Sequence, residues 1–364
     1  MTQSINVPGP AKIKVIGMGG SGCNAITRMV QEGIRGVEFI AMNTDTQHLE
    51  ITEAPVKIQL GARSARGLGA GGDHTRGRWA AEECLDEIQE IVGGSDMVFV
   101  TAGMGGGTGT GSAPVVAEIA KRSGALTIAV VTRPFKFEGV HRAKVAEEGI
   151  RDLAPHADTL IIVPNERILD ICDKRTSVSA AFRMADEVLH QGVQAIAEVI
   201  TVPGLINLDF ADVKAIMKDS GHAWMSIGWG NGQNRAVDAA KQALTSPLLD
   251  TSVHGAKKVM FNVVGGRDLT LFEVNDAAET IKKAVAPDAN VIFGVMMDPA
   301  MENRVRLTLI ATGFETREEA ARKEEQIEAE KRESVKRLLN TENEEALDMP
   351  SFLEDLIKRN SRLI

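Results

Sequence analysis

One stretch constrains this chain more than any other. Residues 102–114 read AGMGGGTGTGSAP, and six of these thirteen residues are glycine. A short apolar run, Asp96 to Thr101, leads into it, and a run of helical character, Ala113 to Arg122, leaves it. The order is strand, glycine loop, helix. Glycine lets a backbone come close to a ligand, and successive peptide N–H groups can converge on an anion. The following helix adds the positive end of its dipole. Thr108, Thr110 and Ser112 offer hydroxyls to phosphate oxygens or a bound metal. The bland alternative is a flexible linker. Linkers, however, are flanked by polar sequence, and this loop lies between a buried-looking strand and a helix. The stretch predicts a polyphosphate held mainly by backbone.

A second glycine loop opens the chain. Lys12 to Ile16 reads as a buried strand, residues 17–22 (GMGGSG) follow, and a helix is expected from Cys23 to Gln31. Taken alone this is the dinucleotide fingerprint, and an NAD(P)-dependent dehydrogenase is the rival reading. That reading needs an acid after the second strand, Val37 to Met42, and Asp45 stands there. Two glycine loops, each after its own strand, suit one mononucleotide gripped along its phosphate tail. The lysine-bearing G-x-x-x-x-G-K-[ST] loop is absent.

Strand and helix alternate through the rest of the first half. A third glycine stretch, residues 67–73 (GLGAGGD), precedes a helix expected from Thr75 to Ile91. It reads as another loop on the ligand face or as a surface turn. Strands are expected at Leu126–Thr132 and Thr159–Val163, with a helix at Val140–Leu153 between them. This pattern predicts a mostly parallel sheet covered on both faces, with ligand loops at the carboxyl ends of its strands. Next comes an apolar stripe at helical spacing, Val178 to Thr201, closed by Pro203-Gly204. Such a helix is ~36 Å long, enough to cross the molecule.

Beyond it the alternation continues without phosphate-binding character. Strands are expected at Ala223–Trp229, Lys258–Val264, Asn290–Met297 and Arg304–Ala311, and helices at Asn234–Leu244 and Leu271–Val285. This is a second, smaller α/β domain with no catalytic cluster of its own. After Phe314 the pattern stops. Residues 315–345 carry 11 acidic and 7 basic side chains, several paired at i,i+4, as in a solvated linker. Residues 347–353 (LDMPSFL) regain apolar anchors, as a tethered peptide that docks on a partner would.

Composition narrows the class. The chain has 364 residues and a net charge of −9, which argues against a nucleic-acid partner. Three widely spaced cysteines form neither a disulfide framework nor a metal cluster, so a reducing compartment is expected. No signal segment is evident, and no apolar run approaches the roughly 18 residues of a membrane span. A cytoplasmic protein without direct membrane insertion is expected.

Two further constellations carry chemistry. Phe182 and Asp186 lie one helical turn apart and share a face. The aromatic can stack on a base while the carboxylate takes the N1–H and 2-amino donors of guanine, which adenine lacks. A core phenylalanine beside a solvated acid fits the residues equally well. Asn207, Asp209 and Asp212 place two carboxylates three apart near a helix start. They are either a catalytic pair that orients water for attack on a γ-phosphate or ordinary helix-start acids.

The motifs together carry a resemblance. GMGGSGCNA (17–25), GLGAGGD (67–73), GGGTGTG (105–111), PNERILD (164–170), FRMADEVL (182–189) and NLDFADVKAIM (207–217) occur in the order found in the FtsZ family. That family comprises bacterial cell-division GTPases of the tubulin superfamily. The resemblance spans about residues 11–315, and residues 347–353 resemble the family's C-terminal peptide. It implies an α/β, tubulin-like GTPase fold with a mostly parallel sheet, a long central helix and a second smaller α/β domain. The implied divisions are a flexible arm (1–11), a GTP-binding domain (12–177), the central helix (178–202), a synergy loop with its helix (203–222), a C-terminal activation domain (223–315), a charged linker (316–346) and a partner-binding peptide (347–364).

The resemblance also implies site residues. GTP would contact Gly20, Ser21, Gly22, Cys23, Asn24 and Asn43, then Ala70, Gly71 and Gly72, then Gly103, Met104, Gly105, Gly106, Gly107, Thr108 and Gly109. Glu138 and Arg142 would lie near ribose and phosphates, and Asn165, Phe182 and Asp186 on guanine. Asn207, Asp209 and Asp212 would complete the site of a neighbouring subunit, with Mg²⁺ accompanying GTP and no protein metal ligand assigned. Self-assembly into head-to-tail filaments and a division ring at mid-cell follow, as do septum-forming, membrane-anchoring and regulatory partners held by Asp348, Pro350, Phe352 and Leu353. A GTP-binding scaffold that does not hydrolyse is the remaining alternative. Ser21 and Cys23 stand where many members carry glycine. Glu354 stands where the peptide usually turns basic.

Overall fold

Strand–helix alternation builds a ten-stranded sheet with the order β3-β2-β1-β4-β5-β6-β7-β10-β8-β9. The computed structural model describes residues 11–170, 172–173, 175–202, 204–206, 208–246 and 255–314. The strands are β1 (Ile13–Met18), β2 (Val37–Asn43), β3 (Val56–Gln59), β4 (Met97–Gly103), β5 (Leu126–Arg133), β6 (Thr159–Pro164), β7 (Gly221–Asn231), β8 (Lys258–Gly265), β9 (Asn290–Met297) and β10 (Arg304–Thr312). The α-helices are α1 (Gly19–Gln31), α2 (Thr46–Ile51), α3 (His74–Glu82), α4 (Leu85–Val92), α5 (Thr108–Arg122), α6 (Val140–Leu153), α7 (Val178–Thr201), α8 (Phe210–Met217), α9 (Arg235–Leu244) and α10 (Leu271–Lys282). Strands β3 to β7 pair in parallel, while β10 runs antiparallel to both β7 and β8.

Parallel strands buried on both faces read as continuous apolar runs, and β4 shows why. Met97 and Phe99 enter a core shared with α1, α7 and α8. Val98, Val100 and Ala102 point the other way, into a core shared with α3, α4, α5 and α6. A third core forms under α9 and α10, around Phe261, Val263, Leu307 and Leu309.

The chain winds from β1 outward through β2 to β3, then returns to β4 and winds the other way to β6. The gap between the carboxyl ends of β1 and β4 is therefore a topological switch point, where open α/β sheets hold their ligands.

Helices α6 and α7 span the residues the sequence pattern predicts. Others differ. Helices α1 and α5 begin at Gly19 and Thr108, four and five residues earlier than expected, inside the glycine loops. Glycine is tolerated there because the neighbouring backbone is too close for a side chain. A Cβ on Gly17 would lie 2.3 Å from the Gly22 carbonyl oxygen, and one on Gly22 would lie 2.6 Å from the Thr101 oxygen. The helix expected over 75–91 is two helices, broken at Glu83-Cys84. Strand β3 and helix α2 are too short to show a period in sequence. The expectations for residues 1–10, Pro203, Asn207, the charged linker and the C-terminal peptide lie outside the described residues.

Candidate functional site

The loops after β1, β4, β5 and β6 all open on one cleft of about 370 Å³. Two helix N-termini form its floor. A Cβ on Gly19, at the start of α1, would lie 2.8 Å from the Gly109 nitrogen at the start of α5. The opening N–H groups of each helix, on Gly19, Gly20 and Ser21 and on Thr108, Gly109 and Thr110, precede the helical ladder and have no partner in it. Two positive dipole ends thus meet where an anion would sit. Gly106 has open space where a Cβ would point.

Side chains brace this floor. Thr44 and Thr108 hydroxyls meet at 2.5 Å, and Asn24 Oδ1 lies 3.1 Å from His48 Nε2. On one rim, Glu138 accepts from the Phe135 N–H at 2.8 Å and pairs with Arg142 at 3.1 Å. Glu138 is nearly buried and Arg142 is half exposed, so the acid anchors a guanidinium at the mouth.

The far end of the cleft differs in character. Phe182 and Asp186, from the first turns of α7, both line it, as does Asn165. Phe182 packs edge-on against Phe135, with ring centroids 5.5 Å apart, and keeps 38% of its surface exposed. Ser21 donates to Asp186 Oδ1 at 3.1 Å. Burial pushes the Asp186 carboxyl up to about 6, against the opposing pulls of the Ser21 hydroxyl and the Arg28 charge. Asn165 Oδ1 is buried without a hydrogen-bond partner. An aromatic face, a carboxylate and an orphaned carbonyl oxygen together suit a planar ring that presents donors along one edge.

Of the residues singled out in sequence, Gly20, Ser21, Asn24, Gly103, Met104, Gly106, Gly107, Thr108, Gly109, Glu138, Arg142, Asn165, Phe182 and Asp186 line this cleft. Gly71, Gly72 and Gly105 line an adjoining hollow of about 700 Å³, which shares Gly106, Gly107 and Arg142 with it. Ala70 lies beneath Gly107, and Asn43 is buried and accepts from the Asp45 N–H. Gly22 packs against β4. The Cys23 thiol turns away from the cleft toward the Met42 carbonyl, and burial pushes it up to about 12. Met18, Gly19, Thr132, Pro134 and Ala185 also line the cleft and were not anticipated. Thr132 and Pro134 follow from the rule that loops gather at the ends of parallel strands. Ala185 carries no polar signal at all.

Asp45 caps α2, accepting from the His48 N–H, and is not among the cleft-lining residues. The acid that a dinucleotide site needs is thus engaged elsewhere.

Asp209 and Asp212 follow α7 in the chain, beyond its end remote from Phe182, and the 24 residues of α7 span ~36 Å. Asp209 caps α8 by accepting from the Asp212 N–H at 2.7 Å, and Asp212 reaches back to the Asp209 N–H at 3.4 Å. The preceding loop is pinned to β9, where Leu205 N–H donates to the Val295 oxygen at 2.8 Å and Val295 N–H to the Ile206 oxygen at 3.0 Å. Neither acid lines the cleft of its own chain.

These features fit a class: a mononucleotide-binding α/β protein, with two helix N-termini placed to receive an anion. Residues 12–173 match the model of the Tubulin/FtsZ family GTPase domain, and residues 221–315 that of the FtsZ family C-terminal domain. The structure is similar to FtsZ of M. jannaschii solved as an empty dimer, with TM-score 0.80 and 49% identity over 83% of this chain and 88% of that one. It is similar in fold to CetZ1 from Haloferax volcanii, solved as a GDP-bound monomer, with TM-score 0.74 and 20% identity over 84% of this chain and 95% of that one. CetZ2 from the same organism, solved as a GTPγS-bound protofilament, gives TM-score 0.72 and 20% identity over 90% and 99%. The chain belongs to the Tubulin/FtsZ family and is a GTPase of the cytoskeletal filament type.

Proposed function

We propose that the cleft between β1 and β4 binds GTP, and that hydrolysis needs a second copy of the chain stacked head to tail. The carrying observation is the placement of Asp209 and Asp212 beyond the end of α7 remote from the cleft. A chain with its nucleotide at one end and these two acids at the other cannot bring them together alone.

In this reading the phosphates lie on the N–H groups that open α1 and α5, and guanine lies against Phe182. Asp186 accepts the N1–H and 2-amino donors, and the free oxygen of Asn165 takes a further donor. Arg142, held by Glu138, covers the phosphate mouth. Gly71, Gly72 and Gly105, in the hollow adjoining the cleft, would contact GTP from the side of Arg142. The carboxylates of Asp209 and Asp212 orient and polarise the attacking water at the neighbour's γ-phosphate, and the two helix dipoles stabilise the charge that develops there. Among the described residues no cluster of metal-ligating side chains lies in the cleft. Mg²⁺ bound with GTP would help neutralise the phosphate charge.

Head-to-tail contacts repeat without closing, so they generate filaments. Hydrolysis at each contact would drive their turnover. The FtsZ relative solved as a dimer supports self-association, and the motif resemblance to the family implies a role in a division ring at mid-cell, on the inner face of the membrane. The domain divisions drawn from sequence, the role of Asn207 and the docking of division proteins on Asp348, Pro350, Phe352 and Leu353 belong to the same proposal. No described helix is long and apolar enough to cross a membrane.

The test measures GTP hydrolysis against protein concentration with light scattering on the same samples, for wild type and Asp212→Ala. Asp209 still caps α8 in this variant, so the fold is expected to survive. Specific activity should rise above a threshold concentration where scattering appears, and Asp212→Ala should scatter without hydrolysing. Flat specific activity that survives the substitution would place catalysis within one chain.

A further inference from the structure

Helix α2 stands beside the opening of α1, and the GTPase reading gives it no task. Its place is fixed from several sides. Leu49 is buried in a small cluster with Cys23 of α1 and Ala41 of β2. The third glycine loop holds its start, where Thr46 N–H donates to the Gly67 oxygen at 3.2 Å and Gly69 N–H to the Thr44 oxygen at 3.1 Å. The backbone of His48 is held at both ends. Asp45 Oδ1 accepts from its N–H at 3.2 Å, and the Thr52 hydroxyl donates to its oxygen at 2.8 Å.

With Leu49 seated against Cys23, the neighbouring His48 meets Asn24, the next residue of α1. Its Nε2 lies 3.1 Å from Asn24 Oδ1. The ring also approaches the phosphate loop, since a Cβ on Gly20 would lie 3.9 Å from its Cε1.

Asn24 lines the cleft and is exposed. An exposed carboxamide samples several rotamers, and fixing one of them on a ligand costs about two- to tenfold in affinity. The contact with His48 selects one rotamer beforehand. It also selects the face of the amide. The carboxamide meets the ring through its oxygen, which leaves both N–H donors free for the cleft. An anion accepts and cannot donate, so it demands this same orientation. The ring N–H involved is present in the imidazolium and in the neutral Nε2–H form alike, so the contact does not require a charged ring.

We propose that His48 is a positioning residue for the nucleotide, acting through Asn24 by holding its N–H groups toward the phosphates before the ligand arrives. This rests on the reading of the cleft as the GTP site. It also gives two neighbours a task. Asp45, the acid a dinucleotide site would turn on a ribose, fixes the backbone of His48 instead, and Cys23 seats Leu49.

The test measures GDP affinity of the full chain by displacement of a fluorescent GDP analogue. Asn24→Ala should weaken binding about tenfold or more. His48→Ala should weaken it about two- to tenfold. The double variant should bind no more weakly than Asn24→Ala, because His48 then has nothing to position. A glutamine amide nitrogen can stand where Nε2 stands, whereas an asparagine is too short. His48→Gln should therefore recover most of the lost affinity and His48→Asn should not. The backbone bonds of His48 survive in every variant, so the nucleotide-free chains should melt close to wild type. A merely structural role for His48 would give neither the rescue nor the non-additivity. Additive losses, or wild-type affinity in His48→Ala beside weak binding by Asn24→Ala, would overturn the proposal and leave the GTP site standing. Wild-type affinity in Asn24→Ala would overturn it as well. A wild-type chain that bound no GDP would overturn the GTP reading, and this proposal with it.

Discussion

At the residue scale, Asp186 carries two opposed obligations. Its folded pKa is raised to about 6 from 3.8, chiefly by burial. Between those values the folded chain holds a proton that the unfolded chain has lost, so stability falls as pH rises through that window, and the full penalty stands at pH 7. Asp186→Asn removes it while keeping an oxygen for Ser21. The apo protein should gain up to about 3 kcal/mol at pH 7, a gain that shrinks toward pH 4, read from denaturant melts. Nucleotide binding should change in the opposite sense. Wild type should lose GDP affinity as pH drops from 7 to 5, about tenfold per pH unit below 6. Asp186→Asn should bind weakly throughout and lack that component, whereas protonation of the phosphates affects both proteins alike. Cys23 gives a second prediction. Buried, with its thiol pushed up to about 12, it should resist alkylation in the folded chain, while the partly exposed Cys84 and Cys172 react first. Mass spectrometry before and after denaturation reads this directly.

At the element scale, the seam between α3 and α5 is what presents the α5 N-terminus to the cleft. It is built on glycines that touch backbone. A Cβ on Gly77 would lie 2.2 Å from the Gly107 oxygen, and one on Gly111 would lie 2.0 Å from the His74 oxygen. Gly77→Ala should therefore force the helices apart, costing about 1–3 kcal/mol of stability and weakening GDP binding with it. Gly106→Ala supplies the contrast. Nothing lies within 4 Å of its added methyl, so the melting temperature should stay near wild type while nucleotide affinity falls. Calorimetry on the two variants separates a fold glycine from a ligand glycine. Sequence alone could not make that separation, because both kinds read as the same letter in the same rich stretch. What sequence did carry was the existence of the loops and their strand–loop–helix context. It placed α6 and α7 because their apolar stripes are long enough to show a period. It missed the early starts of α1 and α5, since low glycine propensity argues against helix and only the crowding of β1, β4 and α3 reverses that.

At the scale of the whole molecule, the β3-β2-β1-β4-β5-β6 order is shared with dinucleotide-binding sheets, so topology alone does not choose between one nucleotide and two. The choice comes from tertiary detail. Asp45 is engaged in capping α2, and the helix ends after β1 and β4 converge on one cleft. Phe182 and Asp186 were readable as a pair from their spacing, but the surroundings that support the proposed base-binding end were not. Asn165 comes from the end of β6 and Ser21 from the start of α1, joined only by folding. The acids past the end of α7 were legible as residues, and their remoteness from the cleft followed from helix length. That remoteness also sets a count. In the head-to-tail row proposed above, each of n copies would borrow its acids from one neighbour, leaving n − 1 complete sites and one terminal nucleotide with no chemistry available to it. Short rows should consequently turn over less GTP per subunit than long ones. Each row should also have two unlike ends, one with a loaded, inert nucleotide facing solvent and the other with a pair of unused carboxylates.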